Sequence, residues 1–205
     1  MSGYLYFLFL VVSFIASCAG AVCGIGGGVI IKPLLDSFGV LSVSAISFLS
    51  GCTVLAMSCY SMVKNKQSGE SLVDGAIGTP LAIGAAVGGI AGKAMYQAVA
   101  GVFANQDMVG AIQAVCLTII TAGTLLYTIK KERIPTRHIS KPLICGLIGL
   151  FLGILSSFLG IGGGPMNLVV LFYFFSMDTK TAAQNSLYII LFSQVTSFVS
   201  TLVTG

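Results

Sequence analysis

The chain has 205 residues, 56% of them hydrophobic and 8% charged, with a mean hydropathy of +1.02. A soluble domain carries about 25% charged residues, so the composition excludes a soluble globular fold and indicates an integral membrane protein. The net charge of +4 is no nucleic-acid signature, because the basic residues cluster in short loops.

Residues 4–22 form the first apolar span, with no Lys or Arg ahead of it, and therefore read as a structural helix and not a cleaved leader. It closes on Ala19-Gly20-Ala21, small residues that permit close helix approach. Gly24-Ile25-Gly26-Gly27-Gly28 follows, a run costing about 1 kcal/mol per glycine relative to Ala inside a helix. Val29 to Leu35 is too short to cross a bilayer and reads as a half-helix, its regular part starting near Pro33. Val40 to Val63 spans, and Lys64 and Lys66 end it in a polar loop that runs to Glu70. Ala76 to Val99 spans with Gly84, Gly88 and Gly92 along one face, a small-xxx-small packing surface. Asn105-Gln106-Asp107 reads as a polar loop, and Met108 to Thr128 spans again. The loop from Lys130 to Lys141 holds half of all Lys and Arg and the single histidine, His138, which reads as solvated. The positive-inside rule makes it cytoplasmic, on the same side as Lys64 and Lys66, with Lys93 a minor exception near the outer end.

After Pro142 to Leu159 the same five letters return as Gly160-Ile161-Gly162-Gly163-Gly164, 136 positions after the first copy. A short run to Ser176, a polar corner Asp178-Thr179-Lys180 and a span from Thr181 to Thr204 complete the chain. Broken apolar helices at corresponding places in two halves point to a transport site, because irregular backbone is tolerated at membrane depth only when protein or a cavity covers it. The expected fold is an all-α integral membrane protein of two repeats, residues 1–139 and 140–205, with glycine-rich broken or re-entrant half-helices. The first corner carries Asp36 and no basic residue while the second carries Lys180, which places them on opposite sides and makes the repeats inverted. Gly205 maps onto Gly69, so the last two helices of a full second repeat are expected to be missing, as in a truncated product or a short member completed by another chain; a homo-oligomer is one outcome.

The paired Gly-x-Gly-Gly-Gly breaks resemble the TauE/SafE family of sulfite exporters. The resemblance rests on Gly24–Gly28 with Pro33 and Leu34, on Ala45, and on Gly160–Gly164 with Ala182 and Ala183. The second copy departs from the first, with Val169 in place of Pro33 and Pro165 directly after the glycines. The resemblance implies a plasma-membrane carrier of sulfite, sulfonates or other small sulfur-containing or organic anions.

The residues themselves suggest how. Without Cβ atoms, successive backbone N–H groups of Gly24, Gly26, Gly27 and Gly28, and of Gly160, Gly162, Gly163 and Gly164, can converge on an anion at the positive end of a half-helix. The alternative is that these glycines only allow tight helix crossing. Asn167, Gln184 and Asn185 are candidate substrate contacts, with helix-to-helix hydrogen bonding as the rival, and Ser47 is taken as the counterpart of Gln184. Lys32 either balances the anion or snorkels to the surface. Cys23 abuts the first motif, and all six cysteines read as small apolar residues. No catalytic set, metal-ligand spacing or nucleotide motif is present, so the expectation is a non-enzymatic secondary transporter without cofactor; an anion channel and a non-transporting assembly subunit are the alternatives.

Overall fold

The computed structural model describes residues 3–39, 42–69, 71–102 and 106–204, and among these it is all-helical. The elements are α1 (Gly3–Cys23), α2 (Gly28–Ser37), α3 (Val43–Gln67), α4 (Gly75–Val102), α5 (Gln106–Lys130), α6 (Pro142–Leu159), α7 (Gly164–Phe175) and α8 (Thr179–Thr204). Five helices are long and apolar enough to cross a membrane, and Phe7–Cys23 of α1 and Gly164–Phe175 are shorter apolar stretches. A lipid environment leaves backbone groups no partner but the helix itself, so length and apolarity together dictate these spans. Phe14, Val22, Ile119, Leu143 and Val203 stand exposed on the outside of the bundle, where lipid rather than water is their solvent. The chain is a multi-pass integral membrane protein.

Several expected boundaries shift, α3 among them, which runs on to Gln67. The regular part of α2 begins at Gly28, not near Pro33, because the amides of Ile30 and Ile31 both bond to the Gly27 carbonyl and close the first turn upstream of the proline. Helix α5 begins at Gln106, so two residues of the expected polar loop are helical, and Asn105 lies outside the described residues, as does Glu70. Elsewhere the caps follow the local chemistry. The Ser42 hydroxyl accepts from the Ala45 amide at 3.3 Å at the start of α3. Asp178 caps α8 by accepting from the Lys180 and Thr181 amides at 3.1 and 3.4 Å, and the Thr181 side chain and these amides hold its carboxyl below the usual range.

Both half-helices turn back. The Phe9 and Phe38 rings lie 5.4 Å apart, so the end of α2 returns to the level of the second turn of α1. The Arg137 and Ile139 amides donate to the Tyr173 and Phe174 carbonyls at 2.7 and 3.0 Å, so the end of α7 returns to the segment that precedes α6. The corner after α2 leads into the start of α3, whereas the corner after α7 lies beside the loop ahead of α6. Tyr127 of α5 meets Tyr173 of α7 edge-on at 6.3 Å. Lys64 and Lys66 lie in the last turn of α3 and not in the expected loop; with Lys130 at the end of α5, Lys131, Arg133, Arg137 and Lys141 in the segment that follows, and Lys180 at the start of α8, they gather at one end of the bundle, the basic end.

Helix α4 holds the second half together. It runs parallel to α6 and α8, since Gly84, Gly88 and Gly92 meet Gly146, Leu150 and Ile154 in order and Gly78 and Gly89 meet Asn185 and Thr196, and it packs most extensively on α6. A Cβ on Gly84 would strike the Gly146 carbonyl, on Gly88 the Leu150 carbonyl and on Gly92 the Ile154 carbonyl. Gly149 and Gly153 return the contact against the Leu81 and Ala85 carbonyls. The glycine zipper expected within residues 1–139 thus packs across the expected boundary, onto residues 142–159. Its flank continues into a core of Leu81, Ala85, Cys145, Leu171, Phe175, Ala182 and Ile189.

Candidate functional site: a crossed pair of glycine breaks beside a polar cavity

The two glycine motifs meet at the centre of the bundle. A Cβ on Gly28 would strike the Ile161 carbonyl, and a Cβ on Gly164 would come within 2.5 Å of Val29 Cγ2. The copies are in contact with each other rather than facing across a gap. Their surroundings are reciprocal. A Cβ on Gly24 would lie 2.5 Å from Ala183 Cα, and one on Gly160 would lie 2.9 Å from Ser47 Cβ. Gly26 faces Ile190 and Val54 at 3.4 and 3.6 Å, while Gly162 faces Val54 and Ile190 at 2.6 and 3.6 Å. Each pairing maps onto the other by the 136-residue offset of the motifs. Helices α3 and α8 run antiparallel across this centre, with Phe48 stacked on Phe198 at 5.9 Å and Gly51 beside Gln194 Oε1. The counterpart of Ser47 is therefore Ala183, not Gln184.

The backbone explains most of these glycines. Gly24, Gly26, Gly160, Gly162, Gly163 and Gly164 have φ of +69°, +73°, +64°, +75°, +98° and +51°, the left-handed region that an L side chain adopts only at a cost. Gly27 differs, with φ −60° as the N-cap of α2. Its glycine is required by space, since a Cβ would lie 2.9 Å from the Ala16 carbonyl of α1.

The polar residues singled out in the sequence separate into two groups. Gln184 and Asn185 bind the linker between α3 and α4: the Leu72 amide donates to Gln184 Oε1 at 2.6 Å, and Asn185 Nδ2 donates to the Leu72 and Thr181 carbonyls at 3.2 and 2.9 Å. Asn185 is fully buried there. Replacing it with leucine leaves the Leu72 carbonyl unpaired and is expected to cost about 1–3 kcal/mol, measured as a lower unfolding temperature in detergent. Asn167 is buried against Gly163, whose added Cβ would lie 2.5 Å from Asn167 Nδ2, and its Oδ1 has no partner.

Ser47 and Lys32 belong to the other group, beside Gly160. Lys32 does not snorkel. It is buried, and its Nζ donates to Gln113 Oε1 at 2.6 Å and to the Leu159 carbonyl at 2.5 Å. Gly160 and Ser47 line a polar cavity of about 70 Å³, room for several water-sized groups. Its other polar walls include Lys93, Gln113, Ser157 and Gln194. The hydroxyls of Ser47 and Ser157 are buried and unpartnered, and the half-buried Lys93 holds its ammonium 5.9 Å from the Tyr96 ring centre. Sequence reasoning missed Gln113, Ser157 and Gln194 and treated Lys93 only as a topological exception; a polar side chain inside an apolar run was the available signal.

A wider cavity of about 1000 Å³ lies toward the basic end, where Lys64, Lys180 and Gln184 contribute to its wall. Cys52 lines both this cavity and the polar one. Cys23 is exposed, and no cluster of metal-ligating side chains occurs among the described residues.

Two glycine-broken re-entrant helix pairs crossing at the centre of an apolar bundle, with a small polar cavity at their side, define a membrane transport protein. The model of the sulfite exporter TauE/SafE family matches residues 9–205, and the chain belongs to that family. No curated protein and no solved structure matches it. The family is one of transporters of sulfite and related anions.

Proposed function

We infer that the chain is a secondary carrier of a small oxyanion of the sulfite or sulfonate class, and that the anion binds in the polar cavity at Gly160. The carrying observation is the pair of buried, unpartnered hydroxyls of Ser47 and Ser157, on residues that line a cavity to which Lys93 also contributes. An unmet buried polar group costs about 1–3 kcal/mol, and an oxyanion supplies acceptors to both hydroxyls and a charge to the lysine. In this reading the glycine motifs serve mainly to bring backbone and helices close enough to shape the cavity, and Gly160 contributes its edge. Gln184 and Asn185 act on the scaffold.

The two halves are read as inverted repeats. The reciprocal contacts of Gly24 and Gly160 and the antiparallel α3 and α8 support this, as do re-entrant pairs that enter from opposite ends. The positive-inside rule makes the basic end cytoplasmic. The cavity near Lys64 and Lys180 is then the inward-facing vestibule, where positive charge raises the local concentration of anions.

The test is sulfite and small-sulfonate flux in proteoliposomes, with counterflow to separate a carrier from a channel. Replacing Lys93 with glutamine is expected to lower flux about tenfold or more, the equivalent of 1.4 kcal/mol of anion binding, without lowering the unfolding temperature. Normal flux in that variant would move the site away from the cavity.

A further inference from the structure

Gln113 of α5 stands in the wall between two cavities. It lines the polar cavity at Gly160 and also a second cavity of about 240 Å³, bordered by α2, the start of α3 and α5. It is the residue that the two linings share. The second cavity includes Asp36, Ser37 and Val43, at the end of the bundle opposite the basic loops. The Gln113 side chain is 2% exposed and held from both sides. Its Nε2 donates to the Phe158 carbonyl at 2.5 Å, and its Oε1 accepts from Lys32 Nζ at 2.6 Å. Lys32 Nζ also donates to the Leu159 carbonyl, and it lies 3.4 Å from where a Cβ on Gly160 would stand. A buried ammonium therefore touches the plug on one side and the edge of the polar cavity on the other.

We propose that Lys32 and Gln113 form an anion-operated latch that closes the polar cavity from the end opposite the basic loops. An oxyanion at Gly160 competes with Gln113 Oε1 for the Lys32 ammonium. A hydrogen bond to an ionised acceptor is roughly twice as strong as one to a neutral acceptor, so the anion wins where water does not. With Oε1 freed, the bond from Nε2 to the Phe158 carbonyl alone holds the amide, and when it swings about that contact out of the wall the two cavities join. The latch opens in the presence of the carried species and stays shut without it, which limits leakage of other solutes. This inference rests on the polar cavity being the anion site.

The test measures tracer sulfite flux through proteoliposomes containing wild type, Gln113→Ala or Gln113→Glu, with the unfolding temperature of each. Alanine removes the plug, so flux is expected to lose saturation and to exceed wild type at high sulfite concentration. Glutamate places a permanent anion on Lys32 and keeps the plug, so flux is expected to fall about tenfold or more, while the unfolding temperature falls modestly because an acceptor now faces the Phe158 carbonyl. Opposite changes in the two variants support the latch. Wild-type flux in both overturns it, as does a parallel loss of flux and stability in both, which would make Gln113 a packing residue; either result leaves the cavity reading standing if Lys93→Gln still lowers flux. Absence of saturable sulfite flux in wild type itself would overturn the cavity reading and the latch together.

Discussion

Replacing Gly88 with valine is expected to abolish accumulation of folded protein. A Cβ at this position would strike the Leu150 carbonyl and lie 2.9 Å from the Ile154 amide nitrogen, both backbone atoms of α6 that cannot swing aside. The two helices would have to separate along the whole contact that Gly84, Gly92, Gly149 and Gly153 also make. Overpacking a tight interior costs about 1–3 kcal/mol for modest insertions, and a β-branched side chain against backbone lies at or beyond the top of that range. Alanine at 88 should leave folded protein with a reduced unfolding temperature. Gly123 of α5 is the control: nothing stands within 4 Å of its Cβ position, so Gly123→Ala should be neutral or stabilising by up to about 1 kcal/mol through helix propensity. Detergent-solubilised yield and thermal unfolding measure all three. Equal behaviour of Gly88→Val and Gly123→Ala would remove the α4–α6 crossing from its central place.

The largest effect on transport is expected from Gly160→Ala. Gly160 adopts φ +64° and its Cβ would lie 2.9 Å from Ser47 Oγ and 3.4 Å from Lys32 Nζ. The substitution therefore carries two costs. The left-handed backbone costs alanine about 1–2 kcal/mol, and the methyl group enters the contact between Ser47, Lys32 and the cavity. Gly39→Ala isolates the first cost, because Gly39 has φ +60° with nothing within 4 Å of its Cβ position. Gly160→Ala should lose at least as much stability as Gly39→Ala, and only Gly160→Ala should lose anion flux, by about tenfold or more. A flux loss shared by both variants would trace to backbone strain and not to the cavity.

Much of this architecture was legible in the sequence. Consecutive glycines are so costly within an apolar helix that two copies of Gly-Ile-Gly-Gly-Gly announced two helix breaks. The four-residue spacing of Gly84, Gly88 and Gly92 announced a close helix contact. Lys64, Lys66 and the cluster from Lys130 to Lys141 announced which loops share an end. These features are local: backbone cost, helical periodicity and loop charge are all read within a few turns of chain.

The site was less legible. Gln184 and Asn185 were visibly polar within an apolar run, but polarity does not name a partner, and their partner is the Leu72 peptide 112 and 113 positions away. Pro33 looked like a helix start, yet Gly27 had already closed the first turn of α2. Lys32 was visibly a charge in a half-helix, and only packing set it against Gln113, 81 positions further on, and the Leu159 carbonyl. Lys93, Ser157 and Gln194 gave no motif at all, because they lie on three different helices that meet only when the glycine breaks cross. Sequence by itself determined the membrane class, the helix spans, the paired breaks and the family. Tertiary structure alone decided which face α4 packs on, that the motifs touch each other, and where the polar cavity lies. The physical reason is range: helix formation and its interruption are written in neighbouring residues, whereas a cavity is the space left between backbones that approach from distant parts of the chain.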